Sequence, residues 1–164
     1  MKIRDIIIYE YDQYFSVIQR SPQDENINDA PSEDVALTGK FPVNASPSEM
    51  GRTIMQAIDN YGQVRPKYAP WELREIRKQL CNWVGAKSGP DLQRNSRIVL
   101  VQKNMHAQKI QIIPSDNFNL NKWETLLESE TTELPLGTSE EELGNSVIGA
   151  FFKATFHPDR KAAS

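Results

Sequence analysis

Long hydrophobic runs are missing from this chain of 164 residues, and so are the residue types from which reactive sites are usually built. The first apolar stretch, Ile6 to Tyr9, is too short for the core of a signal peptide and far short of the roughly 20 residues of a membrane span. No membrane partner is therefore expected. There is one cysteine, Cys81. It can close no internal disulfide, which fits a reducing, cytoplasmic compartment. Lying within an apolar helical stretch with no activating histidine beside it, Cys81 reads as a small buried hydrophobe. The two histidines, His106 and His157, are far apart in the chain and both read as surface residues. No HExxH, CxxC or Walker-type glycine loop occurs. The sequence thus gives no catalytic residue, no metal ligand set and no cofactor site, and a binding protein is expected in place of an enzyme. A formal net charge of −3 also argues against nucleic acid as the direct partner of the whole molecule.

What is present is ordinary globular composition, with 38% apolar and 25% charged residues, enough for one domain with its own core. Ile6 to Tyr9 and Tyr14 to Ile18 are β-branched and aromatic and predict two strands around a turn at Tyr11 to Gln13. Ser21 to Asp34 holds two prolines, five acids and no Lys or Arg, and reads as a solvated loop. Val35 to Val43 predicts a strand, and Ser46-Pro47 starts a helix reaching about Asn60. A second helix opens at Pro70-Trp71. Leu73, Ile76, Leu80 and Trp83 give it a half-buried stripe, and Gly85 and Gly89-Pro90 end it. Strands at Ile98 to Val101 and Ile110 to Ile113 flank a turn at Asn104 to Ala107. The segment from Asp116 to Glu130 reads as polar and irregular, anchored by Trp123, Leu126 and Leu127. A strand near Thr131 to Leu136 then leads into a helix from Glu140 to about Thr155.

One unit occurs twice. Residues 41–58, FPVNASPSEMGRTIMQAI, align without gaps with residues 134–151, LPLGTSEEELGNSVIGAF. Pro42/Pro135, Ser46/Ser139, Glu49/Glu142, Gly51/Gly144 and Ala57/Ala150 are identical. Ser-x-x-Glu at a helix start predicts a capping box, in which the serine oxygen takes the amide three residues on and the glutamate reaches back. Each mid-helix glycine costs about 1 kcal/mol of propensity, so a matched pair suggests a close backbone approach. Anion binding at these helix starts is the alternative, opposed by the acids in their first turns.

Charge is segregated along the chain. Arg65 to Lys109 carries 10 Lys or Arg and 3 Asp or Glu, whereas Asp116 to Gly144 carries 8 acids and one lysine. These segments could neutralise one another, or the acidic one could present a phosphate-like surface to a basic partner. The basic stretch Arg74, Arg77 and Lys78, with Trp71, could instead face RNA.

The order of motifs resembles the CdiI immunity proteins of bacterial contact-dependent growth inhibition systems. The matching segments are ASPSEMGRTIMQAI, WELREIRKQLCNWVGAKS, the hairpin ending IQIIPS, and WETLLESETTELPLGTSEEELGNSVIGAF, together spanning about residues 35–152. The resemblance implies a cytoplasmic protein that binds and blocks the toxic C-terminal domain of a CdiA-type effector. Many such toxins are nucleases with basic active sites, which would give the acidic segment a purpose. Joining the resemblance to the charge map, Asp116, Trp123, Glu124, Glu128 and Glu130 become the expected toxin contacts, since they combine acids with an aromatic anchor. An RNA-binding accessory domain and an enzyme of unrecognised type are the other readings. The expected fold is α+β: a single immunity-type domain over residues 1–156 and a flexible tail over 157–164. The sheet should be mostly antiparallel or mixed, with about three packed helices, two of them in the repeated strand–capped-helix unit.

Overall fold

The computed structural model describes residues 3–27, 30–118 and 124–160. Strands β1 (Ile3–Tyr11) and β2 (Tyr14–Pro22) form a hairpin closed by Asp12 and Gln13. Both turn residues have positive φ, 49° and 69°, the handedness that matches the twist of the flanking strands. β3 (Ser32–Pro42) pairs with β2 and leads into helix α1 (Pro47–Asp59). Helices α2 (Leu73–Val84) and α3 (Gly89–Asn95) follow, then the hairpin of β4 (Ser96–Asn104) and β5 (Lys109–Asp116). Two short strands, β6 (Thr125–Leu126) and β7 (Thr132–Pro135), are separated by a 3₁₀ turn at Glu128–Glu130, and α4 (Glu140–Lys153) comes last. All strand pairs are antiparallel. The sheet runs β3-β2-β1-β4-β5, with β6 and β7 sharing the outer edge of β5. The α+β class and the mainly antiparallel sheet are as expected; among the described residues there are four α-helices where about three were expected.

The repeat is larger than the sequence alignment suggests. Two βββα halves, β1-β2-β3-α1 and β4-β5-β7-α4, meet along the β1–β4 pair, where Ile7 faces Leu100, its own counterpart 93 positions on. The glycines lie on the same approximate two-fold. A Cβ at Gly51 would stand 1.8 Å from the carbonyl oxygen of Glu140, and one at Gly144 would stand 1.9 Å from that of Pro47. Each helix therefore lays its glycine against the first turn of the other. The chain leaving each helix also returns to the second strand of its own half: the amide of Gly62 donates to Arg20 O, and that of Thr155 to Ser115 O. Capping is less symmetric than predicted. Ser139 Oγ accepts the Glu142 amide at 3.1 Å, but the Ser46 side chain makes no capping hydrogen bond. There the proline at the first helical position supplies the helical φ and leaves one donor fewer to satisfy.

The two faces of the sheet bury separate clusters. On one, Ile6, Ile8, Phe15, Val17, Val99, Val101, Ile110 and Ile112 pack against Met50, Ile54, Ile58, Leu143, Val147 and Phe151 from α1 and α4. Fully burying such side chains is worth about 1.5–3 kcal/mol each. On the other face Tyr9 and Ile18 meet Cys81, Val84 and Leu92 from α2 and α3. Cys81 is buried as expected, and burial first, then Asp91, pushes its thiol above the usual value.

Several local expectations change. β2 runs to Pro22 and β3 begins at Ser32, so the acidic loop is shorter than 21–34, and Asp34 is a ladder residue. There it shares Arg20 with Asp5, at 3.0 and 3.1 Å. Gly89-Pro90 opens α3 instead of closing α2, because Ser88 Oγ caps the Asp91 amide and proline suits the first turn. Gly85 does end α2, at φ 92°, and Lys40 donates to the last carbonyls at Val84 O. The predicted stripe of α2 is only partly inside: Ile76, Leu80 and Trp83 are half-buried, but Leu73 is 63% exposed and Trp71, ahead of the helix, 81% exposed. Only the C-terminal half of the helix lies on the sheet, where Cys81 and Val84 are buried. His157, expected at the surface, is buried, its Nδ1 accepting the Asp159 amide. The chain after α4 lies against the body as far as His157, through the Thr155 amide on Ser115 O and Phe156 beside Arg97.

Candidate partner-binding surface

The outer edge of β5 is where the second half departs from the first. In the first half β3 is a strand of 11 residues. Its counterpart is cut into β6, which pairs with Ser115 and Asp116, and β7, which pairs with Lys109 to Ile112. Between them the 3₁₀ turn is closed by Thr131, whose hydroxyl and amide both donate to Glu128 O. The result is a short protruding turn that sets Glu128 and Glu130 in solvent.

Asp116 fixes the base of this surface. Its Oδ1 accepts the Phe118 amide at 3.0 Å and the Thr155 hydroxyl at 2.7 Å. Those two bonds, the amide first, hold its carboxyl below the ordinary carboxylate value. Thr155 Oγ1 also accepts the Asn117 amide, and the buried Asn117 side chain donates to Gln93 O and Ser96 O. The end of α4, the end of β5 and the start of β4 are thereby tied into one corner. Out of that corner project Phe118, 65% exposed, Leu126, 43% exposed, and Phe152, 81% exposed. Glu124 is half-buried just before β6, and Glu130 pairs with Lys153 at 3.6 Å, one residue from Phe152.

Of the expected contact residues, Asp116, Glu128 and Glu130 lie at the outer edge of β5, and Trp123 lies outside the described residues. Glu124 is half-buried ahead of β6, near enough to the buried Tyr9 to add to burial and Asp34 in raising its hydroxyl. Asp116 has one oxygen committed to the fold. The exposed aromatics Phe118 and Phe152 were not foreseen. A signal existed for Phe152: Leu143, Val147 and Phe151 recur at four-residue steps on the buried side of α4, and Phe152 falls off that stripe.

A second exposed surface lies at the opposite edge, where α2 approaches β3. Trp71 and Leu73 stand out beside the exposed Arg74 and Lys78. Glu72 is turned back, its carboxylate accepting the Ala69 amide at 2.7 Å. Nearby, a cleft of about 420 Å³ opens between residues 21–26 and 62–70, bridged at its rim by Arg65 and Glu25 at 3.0 Å. Among the described residues no group of three or more His, Cys, Asp or Glu is placed to hold a metal ion, and no helix is long and apolar enough to cross a membrane. His106 is exposed in the β4–β5 turn, where Asn104 Oδ1 takes its amide.

Fold and surface together define a class: an α+β scaffold that offers charge and exposed aromatic area in place of a reactive cleft. The chain belongs to the CDI immunity protein family, CdiI, whose family model matches residues 4–154. It is accordingly an immunity protein, an inhibitor of a contact-dependent growth inhibition toxin and not an enzyme. Comparison by sequence with curated proteins finds no match. Among solved structures, a chain of the CdiA-CT/CdiI toxin and immunity complex from Yersinia pseudotuberculosis is similar, with a TM-score of 0.69 at 15% identity, over 94% of this chain and 99% of that one. A protein of unknown function, NMB0488, from Neisseria meningitidis is similar with a TM-score of 0.64 at 18% identity, over 94% and 96%.

Proposed function

We propose that the protein binds its cognate CdiA-type toxin domain in the cytoplasm through the broken edge of β5, and that this toxin is a nuclease. The observation that carries the reading is the coincidence of exposed Phe118, Leu126 and Phe152 with exposed Glu128 and Glu130 on one edge, Glu124 lying half-buried just ahead of it. An apolar centre with a charged rim is the anatomy of a protein interface. Its negative sign suits a cleft built to hold phosphates: the acids would steer the encounter and compete with nucleic acid for the same basic groups. Trp123 and Asp116 complete the set, Trp123 as an anchor and Asp116 by holding the corner from which Phe118 projects. Inhibition would be occlusion, with no chemistry on the immunity side. The related complex from Yersinia pseudotuberculosis, which pairs a toxin with an immunity protein, supports a direct complex here.

The test is co-expression with the cognate CdiA-type toxin domain, to be sought in the neighbouring gene, followed by co-purification and titration calorimetry. Rescue of growth and a stable complex are expected, with affinity that falls as salt rises. Combined Glu128→Lys and Glu130→Lys substitution should lower affinity while the unfolding midpoint stays in place. Unchanged affinity in that variant would move the interface elsewhere. Absence of nucleic-acid cleavage by the free toxin domain would remove the nuclease assignment and leave the immunity function standing.

A further inference from the structure

The surface at the start of α2 is left unused by the reading above, and its sign is opposite. A tryptophan that stands almost wholly in water is the residue type that most often anchors protein contacts. Leu73 lies beside it, and Arg74 and Lys78 sit one turn apart on the exposed side of the helix. The exposed Glu75 stands between them and Glu72 is turned back onto the Ala69 amide, so that cations outnumber acids only modestly over residues 71–78. We infer that this surface docks onto the acidic edge of a second copy of the chain, Trp71 and Leu73 against the Phe118, Leu126 and Phe152 area, Arg74 and Lys78 towards Glu128 and Glu130.

Charge selects the occupant. A basic patch needs an acidic partner, which the basic cleft of a nuclease does not provide and which this chain carries on its opposite edge. The two patches also match in kind, each with large exposed apolar side chains at its centre and charges around them. Because they lie on opposite edges of the sheet, the contact is head to tail. One patch of each pair stays open, and association grows with concentration instead of stopping at a symmetric dimer. Resting on the assignment of the acidic edge to the toxin, the contact has a consequence: free immunity protein reversibly covers its own toxin surface, and the toxin displaces the second copy.

Sedimentation velocity over a concentration series, at low and high salt, tests this. The weight-average sedimentation coefficient of the wild-type protein should rise with concentration at low salt and fall back at high salt. Trp71→Ala, or Arg74→Glu with Lys78→Glu, should weaken self-association about tenfold or more, the size of a hot-spot loss. Combining Arg74→Glu and Lys78→Glu with Glu128→Lys and Glu130→Lys in one chain should restore it, with circular dichroism confirming the fold of each variant. Added toxin domain should dissolve the assemblies, and Trp71→Ala should bind toxin as tightly as dilute, monomeric wild type and more tightly than wild type at concentrations where it self-associates. A concentration-independent monomer overturns the inference. So does a dimer indifferent to Trp71→Ala or to the two glutamate reversals, and so does Trp71-dependent binding of a labelled single-stranded RNA without self-association. Self-association that obeys the variants but persists when toxin binds would uphold the contact and overturn the toxin assignment of the acidic edge.

Discussion

The two halves of the molecule share strand order, helix placement and the returning chain after each helix, yet they treat their outer edge differently. β3 is continuous, paired with β2 along its whole length apart from two register shifts and tied to α2 through Lys40 and Val84 O. Its counterpart is broken, and the break is where the exposed acids and aromatics gather. A duplicated scaffold needs only one of its edges for self-assembly of the fold; the other can be interrupted without loss of the core, because β7 still supplies Leu134 to the helix-covered face. The proposed recognition surface thus falls at the edge whose strand pairing the fold needs least.

The strongest way to break this comparison is at the feature the halves hold in common. Gly51→Ala and Gly144→Ala each drive a methyl group into a backbone carbonyl of the other helix. Each should cost on the order of 3–4 kcal/mol in urea unfolding, and the two costs should be similar. The double variant should lose less than the sum, since the two contacts lie in one helix–helix interface and the shift that relieves one also relieves the other. A large inequality between the two would deny the two-fold relation.

Next in size is a change confined to the broken edge. Phe152→Ala should leave urea stability within roughly 0.5 kcal/mol of wild type and weaken toxin binding by about 2 kcal/mol in calorimetry. A variant that loses stability but not affinity would return Phe152 to the core.

The capping serines offer a smaller contrast. Ser139→Ala should cost about 1 kcal/mol, because a helix amide loses its acceptor. Ser46→Ala should cost far less, since its side chain takes no such bond. Equal losses would contradict the difference.

Smallest is a pH effect of opposite sign in the two halves. Asp116 titrates below its ordinary value when folded, because its two hydrogen bonds favour the carboxylate. Its contribution is present above the unfolded value and is lost as pH falls through the folded one. Asp34 titrates above its ordinary value, because burial outweighs Arg20. Protonation there favours the folded state, and that advantage is lost as pH rises from the unfolded value through the folded one. Urea midpoints across the acidic range for Asp116→Asn and Asp34→Asn, each compared with wild type, should therefore diverge from it in opposite directions as pH changes.

Much of the fold was legible because local pattern decides it. β-branched runs gave the strands, Ser-Pro and Ser-Glu-Glu-Glu gave the helix starts, and the paired glycines announced a close approach. The full duplication was not legible. Ile6 to Tyr9 and Val99 to Gln102 are equivalent positions of the two halves, but one short apolar strand reads like another, and only the Ile7–Leu100 pairing reveals the relation. Periodicity also says which side chains share a face and nothing about whether a neighbour covers them. That is why Leu73 was misplaced: the sheet ends before α2 does. His157 failed for the converse reason, since a polar terminal stretch carries no sign that it folds back. At the candidate surface the acids could be read from charge alone, whereas the exposure of Phe118 and Phe152 depends on a strand that stops at Asp116.

The seam between the halves also bears on how the chain folds. Each hairpin closes over a few residues, whereas β1 and β4 join positions as far apart as Ile3 and Asn104. Hairpins form on the microsecond scale, and closing a long loop adds entropy that only the finished core repays. The middle of the sheet is thus the last part to assemble in time, though it is the first to begin in sequence. A nascent chain stopped after α1 exposes the unpaired edge of β1 until β4 arrives. If the acidic edge is the toxin surface proposed above, that surface waits on completion of the chain, because the strands that carry it are made after the seam.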